Sequence, residues 1–170
     1  MYETNHYKSW SGLNKKLSDN LCEELKGRIT YFLTRYHEVY NSYGRASIKL
    51  DGKELTNFSW IDMYKQDLDV NEKFEETGEW DYHDSELKEK WDKDATFSDY
   101  DFLAAATTYL QLSIRDALES ENYLIKIFAI LDRRVGRRRL NKVRDGKEYK
   151  TYPDWVQQFY KLRLKVSNIE

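Results

Sequence analysis

Five arginines occupy seven consecutive positions: Arg133, Arg134, Arg137, Arg138 and Arg139, interrupted by Val135 and Gly136. Lys142 and Arg144 extend the run. A guanidinium is planar and always charged, and its fork of N–H groups fits phosphate or carboxylate two bonds at a time. Two chemistries follow. The cluster either meets phosphate outside the molecule, which gives a salt-dependent nucleic-acid or nucleotide surface, or it meets carboxylates of the same chain. Arg133/Arg137 and Arg134/Arg138 are each four apart, so each pair shares a helix face if one helix continues through Gly136. The charge map favours the internal reading. Residues 62–101 hold 15 acidic and 5 basic side chains, residues 123–166 hold 13 basic and 4 acidic ones, and the whole chain nets only −2. A sequence pI of about 6.0 also argues against a dedicated nucleic-acid domain. Basic residues at the C-terminal ends of helices are favoured by the macrodipole as well. Asp132, directly before Arg133 and Arg134, reads as a structural ion-pair partner as readily as a ligand.

The other chemistry-bearing types are sparse. The histidines are His6, His37 and His83. Asp81, His83 and Asp84 stand close together, but no H-x-x-x-H, C-x-x-C or H-E-x-x-H spacing supports a metal. Cys22, beside Leu21, reads as a buried inert thiol with no neighbouring base to activate it. Asp67/Asp69 would share one side of an extended segment, as Mg²⁺ ligation wants, whereas Asp99/Asp101 suit the start of a helix. No phosphate-binding glycine loop, nucleophile elbow or dinucleotide fingerprint is present. No catalytic residue, metal or cofactor is therefore expected. Trp80, Tyr82, Trp91 and Tyr100 fall in or beside the acidic segment. They are candidates for a protein-binding surface, or else rings that anchor an irregular segment to the core.

These residues need a scaffold, and the pattern predicts an α+β fold in one domain spanning 1–170. It places an N-terminal helix over 9–26, antiparallel strands over 28–60, an acidic irregular segment over 62–97 and a helical region over 98–167 packed on the sheet. Leu13, Leu17, Leu21 and Leu25 form the stripe of the first helix, with Gly27 in the left-handed position past its end. Asp51-Gly52 is the dipeptide of a type I′ hairpin. It sets Lys49 opposite Glu54 and Ile48 opposite Leu55. "DSELKEKW" reads as a short helix within the acidic segment. Ser98-Asp99 starts a helix to about Leu118, and Ser120 caps the next, along which Leu124, Phe128, Leu131 and Val135 follow one face. Gly136 ends or bends that helix. Pro153 falls in the first turn of a final helix, with Trp155, Phe159, Leu162 and Val166 on one face. A single cysteine fits a reducing compartment. The N-terminus shows no signal-peptide pattern and no apolar run is long enough for a bilayer, so a cytoplasmic protein with no membrane partner is expected.

Several stretches resemble a family of small uncharacterised bacterial cytosolic proteins. They are "WSGLNKKL", "LKGR" (Leu25 to Arg28), "YGRASIKLDGKEL" and "ILDRRVGRRRL". The matching positions are Trp10, Ser11, Leu13, Gly27, Arg28, Asp51, Gly52, Asp132, Arg133, Arg134, Gly136 and Arg138. The resemblance implies no activity. The functional expectation is a non-catalytic binding or regulatory protein that acts through a protein partner, such as an antagonist or immunity-type factor. The alternative is a nucleic-acid or nucleotide-phosphate binder using Arg133 to Arg144. Oligomeric state is left open.

Overall fold

A computed structural model describes residues 9–35, 44–59 and 85–169. Helix α1 runs Trp10–Asp19, and its N-cap Ser9 accepts a hydrogen bond from the Gly12 amide at 3.3 Å. The expected helix over 9–26 stops seven residues early, and only a single 3₁₀ turn, Glu23–Leu25, follows. The cause lies elsewhere in the chain. The Cys22 amide donates to the Leu131 carbonyl at 2.9 Å and the Arg133 amide to the Asn20 carbonyl at 2.8 Å. Leu21 thereby forms an antiparallel bridge with Asp132. All four leucines of the stripe are still buried, the last two from outside the helix. Gly27 takes the expected positive φ, 74°.

Strands β1 (Ile29–Arg35), β2 (Gly44–Leu50) and β3 (Lys53–Ser59) form an antiparallel sheet in the order β1-β2-β3. Asp51 and Gly52 have φ of 50° and 80°, the two positive values that a type I′ turn requires. Lys49 faces Glu54 as expected, but Ile48 faces Thr56 rather than Leu55. Leu55 is the extra residue of a bulge, which leaves part of its backbone free of the ladder. Gln158 uses it, donating to the Leu55 carbonyl at 3.2 Å. Ile29, Tyr31, Ala46, Ile48 and Phe58 belong to the buried core.

The second half is helical, as expected, with different breaks. Helices α2 (Ser85–Asp94), α3 (Asp99–Gln111), α4 (Ile114–Glu119), α5 (Tyr123–Leu131), α6 (Arg137–Gly146) and α7 (Asp154–Val166) follow in order, with a 3₁₀ turn at Glu148–Thr151 before α7. The predicted helix to Leu118 is two helices, because Ser113 leaves helical geometry to cap α4, accepting from the Asp116 amide at 3.1 Å. Asn122, not Ser120, caps α5, its side chain accepting from the Leu124 amide at 2.9 Å. Helix α5 is buried from Leu124 to Leu131 and ends at Asp132. Val135 is buried but lies past that end. Pro153 occupies the cap position of α7 rather than its first turn. The core side of α7 is Val156, Phe159, Tyr160 and Leu164. Trp155, Leu162 and Val166 of the predicted stripe lie at its margin.

Aromatic rings join the layers. Phe58 of β3 lies 5.9 Å from Phe102 of α3, and Phe102 lies 5.5 Å from Phe128 of α5. The Trp155 indole N–H donates to the Asp92 carbonyl at 2.6 Å, tying α2 to α7. The acidic segment therefore touches the C-terminal helices through α2. Its residues 62–84 lie outside the described residues.

Candidate basic site at the start of helix α6

The turn between α5 and α6 holds the arginine cluster, and its geometry starts at Asp132. This carboxylate is wholly buried. It accepts from the Tyr109 hydroxyl, from the Arg134 amide at 2.7 Å, and from Arg134 Nε and Nη2 at 3.0 and 2.7 Å. The Arg134 guanidinium also stands 6.0 Å from the Tyr109 ring centroid, within cation–π range. Burial, with the Asp132 carboxylate beside it, pushes the Tyr109 phenol far above its ordinary pKa. The hydrogen bond to Asp132 raises Arg134. The turn is held again one residue later. Arg163 of α7, itself buried, donates from Nη2 to the Val135 carbonyl at 3.0 Å and from Nη1 to the Ser167 hydroxyl. Its Nη1 lies 3.8 Å from Glu24.

Helix α6 begins immediately afterwards, and its start is unusual. Gly136 is the N-cap, which offers no side chain to the first-turn amides. Arg137, Arg138 and Arg139 fill that first turn, which contains no acid. Cations there oppose the positive end of the macrodipole. This corrects the expectation that the arginines sit at favourable C-terminal ends. It also corrects the four-apart helical pairing, because the 132–136 turn separates Arg133 and Arg134 from α6. Leu140 buries the inner side of the helix. Arg138 and Lys142, one turn apart, share the outer side.

The cluster thus divides. Arg134 is paired with Asp132, and Arg144 with Asp145 at 2.8 Å. Arg133, Arg137, Arg138, Arg139 and Lys142 are exposed, and among the described residues no carboxylate lies within ion-pair distance of them. Arg139 makes one contact, a 3.4 Å hydrogen bond to the Arg134 carbonyl. The model of the SF0329 protein family matches residues 9–164. The chain belongs to the SF0329 protein family. The match takes in both halves of the pairing between 20–22 and 131–133 and reaches into α7, in line with the expected resemblance to an uncharacterised family. No curated protein and no solved structure matches the chain.

The remaining candidates of this SF0329 family protein take the following positions where they are described. Cys22 is buried, and burial pushes its thiol up while Arg163 pulls it down. Asp99 is wholly buried against Gly44. Asp101 closes a capping box with Ser98, its carboxyl raised by burial. Trp91 and Tyr100 are half-buried. Trp80, Tyr82, the three histidines, Asp67, Asp69, Asp81 and Asp84 lie outside the described residues. Among the described residues no group of His, Cys, Asp and Glu could hold a metal ion, and no helix is long and apolar enough to cross a membrane.

Two buried cations went unmarked in the sequence. One is Arg163. The other is Lys126 of α5, whose ammonium donates to the Leu118 carbonyl at the end of α4 (2.8 Å) and to the Tyr152 hydroxyl (3.2 Å). Burial lowers its pKa. Lys126 stands alone in an apolar stretch and Arg163 lies between Lys161 and Lys165, so neither carries a signal of its partner.

Proposed function

We propose that this chain is a non-catalytic binding protein and that the surface formed by Arg133 and the outer side of α6 meets an anionic macromolecule. One observation carries the reading. Five cationic side chains are exposed and have no carboxylate partner among the described residues, and three of them stand at the end of a helix that disfavours them. Such an arrangement costs stability through self-repulsion and the macrodipole, and an anionic partner would relieve both. Among the described residues, the internal reading accounts for Arg134, Arg144 and Arg163 but not for these five. The aromatic candidates give less support, since Trp91 and Tyr100 are half-buried rather than displayed.

The test is retention at neutral pH and low salt on a cation-exchange or heparin matrix. A chain of net charge −2 is expected to bind there only through a concentrated basic surface. The double variant Arg138→Gln/Lys142→Gln should elute much earlier. Flow-through of the wild-type protein would refute the reading.

A further inference from the structure

The chemistry around α6 narrows the class of anionic partner. An acidic protein and a nucleic acid both present negative charge, but they ask different things of the surface opposite. Protein interfaces centre on a patch depleted of charge and rich in aromatic or aliphatic anchors, with charges at the rim. Interfaces with nucleic acid are polar throughout and strongly positive. From Arg133 to Lys150 every fully exposed side chain is polar or charged; the apolar residues Val135, Leu140 and Tyr149 are buried, and Val143 is half-buried against the core. Among the described residues the one exposed large apolar side chain is Phe32, and it stands on β1. Among the described residues the basic surface therefore displays no large apolar anchor for a protein partner.

The same absence bears on the form of nucleic acid. Proteins that hold single strands stack bases on exposed aromatic rings, and no described residue from Arg133 to Lys150 offers one. Reading sequence in a duplex needs side chains that reach base edges from an element that enters a groove. Here the outer side of α6 carries Arg138, Lys142 and Asp145, and Asp145 is engaged by Arg144. What remains is a set of point contacts suited to phosphates, which fix position and carry no sequence information.

We infer that Arg133, Arg137, Arg138, Arg139 and Lys142 bind the phosphate backbone of double-stranded nucleic acid without reading its sequence. The inference rests on the anionic-partner reading and names its chemistry. Five phosphate contacts give a slope of about −4.5 in log K against log salt, so affinity falls roughly 500-fold between about 50 and 200 mM salt.

The experiment is a fluorescence-anisotropy titration of the full chain with three probes: short DNA duplexes of two unrelated sequences, one of their single strands, and polyglutamate of matched charge. The two duplexes are expected to bind equally and more tightly than either other probe. Arg138→Gln and Lys142→Gln should each reduce the salt slope by about 0.9 without lowering the melting temperature. Tighter binding of the single strand, or a large preference for one duplex sequence, overturns the inference. Equal or tighter binding of polyglutamate also overturns it while the anionic-partner reading stands. Failure to bind all three probes, together with flow-through on the cation exchanger, removes both.

Discussion

Arg134 and Arg138 sit four residues apart in the same basic run, yet their replacement by glutamine should have opposite consequences. Arg134→Gln removes a guanidinium that holds a wholly buried carboxylate. Asp132 would keep only the Tyr109 hydroxyl and the backbone amide of residue 134. Removing one partner of a fully buried pair costs about 3–5 kcal/mol, while an exposed pair contributes about 0.2–1 kcal/mol. The Arg134 side chain is 42% exposed and that of Asp132 0%, so the pair lies between these limits, at about 2 kcal/mol. In a chain of this size each kcal/mol moves Tm by about 2–4 °C, which predicts a fall of about 4–8 °C. Arg138→Gln removes a cation from the positive end of α6 and breaks no ion pair among the described residues. It should leave Tm unchanged or raise it by a degree or two, since a charge at a helix end is worth about 0.3–1 kcal/mol. Thermal melting by circular dichroism at two salt concentrations measures both. Added salt should stabilise the wild type by screening the exposed arginines, and Arg138→Gln should show less of that gain. Equal losses in the two variants, or a silent Arg134→Gln, would show that the cluster does not divide as described.

Other perturbations address the frame around the site. Gly44→Ala would place a Cβ 2.2 Å from the buried Asp99 Oδ2 and 3.0 Å from the Thr34 carbonyl. It should cost about 1–3 kcal/mol by overpacking, and an unchanged urea midpoint would contradict that close approach. Gly52→Val sets a β-branched residue at φ 80° and should cost about 1 kcal/mol or more in the same assay. Cys22 should react slowly with a thiol reagent in the native state and fast in denaturant, and rapid native labelling would refute its burial. Tyr31, Tyr109 and Tyr160 are all raised by burial. A phenol whose folded pKa exceeds its unfolded value of about 10 contributes stability that is intact below that pH and lost as pH climbs through the folded value. Lys126, lowered by burial, acts with the opposite sign: its burial penalty fades as pH approaches the ordinary lysine range. Tyr152 is raised by burial as well, and four phenols against one ammonium predict falling stability above about pH 10. Absorbance at the phenolate band should show these phenols ionising only with unfolding, and reversible titration of all 14 tyrosines in the folded state would refute it.

What the sequence disclosed follows from how local each determinant is. The Asp51-Gly52 turn was legible because its two residues alone decide the backbone. Burial of Leu13, Leu17, Leu21 and Leu25 was legible from spacing, but the end of α1 was not. Its cause is a pairing with residues more than a hundred positions away, and propensity along "LCEEL" still favours helix. The break at Leu112–Ser113 turned on a serine that could extend one helix or cap the next. At the site, Asp132 was visible as a structural partner because it adjoins Arg134. The exposure of the other arginines was not, because it depends on which carboxylates the tertiary fold brings near. Of the basic residues of α6 only Arg144 reaches the favourable last turn; the first three start the helix because Gly136 does not continue α5.

The strap between residues 20–22 and 131–133 also sets a schedule for synthesis. Its two halves are about 110 residues apart, and at roughly 5–20 residues per second the second half leaves the peptidyl-transferase centre about 6–20 s after the first. Throughout that interval Leu21 has no segment to bridge; the sheet lacks α3 for most of it and the complete α5 until its end. The nascent chain must therefore hold Leu21, Cys22 and Leu25 uncovered until the arginine turn emerges. Because the strap closes a long loop, it belongs to the slow, non-local class of contacts. A stall or truncation anywhere before Asp132 would release not a smaller folded unit but a chain whose first helix and sheet have nothing to close on.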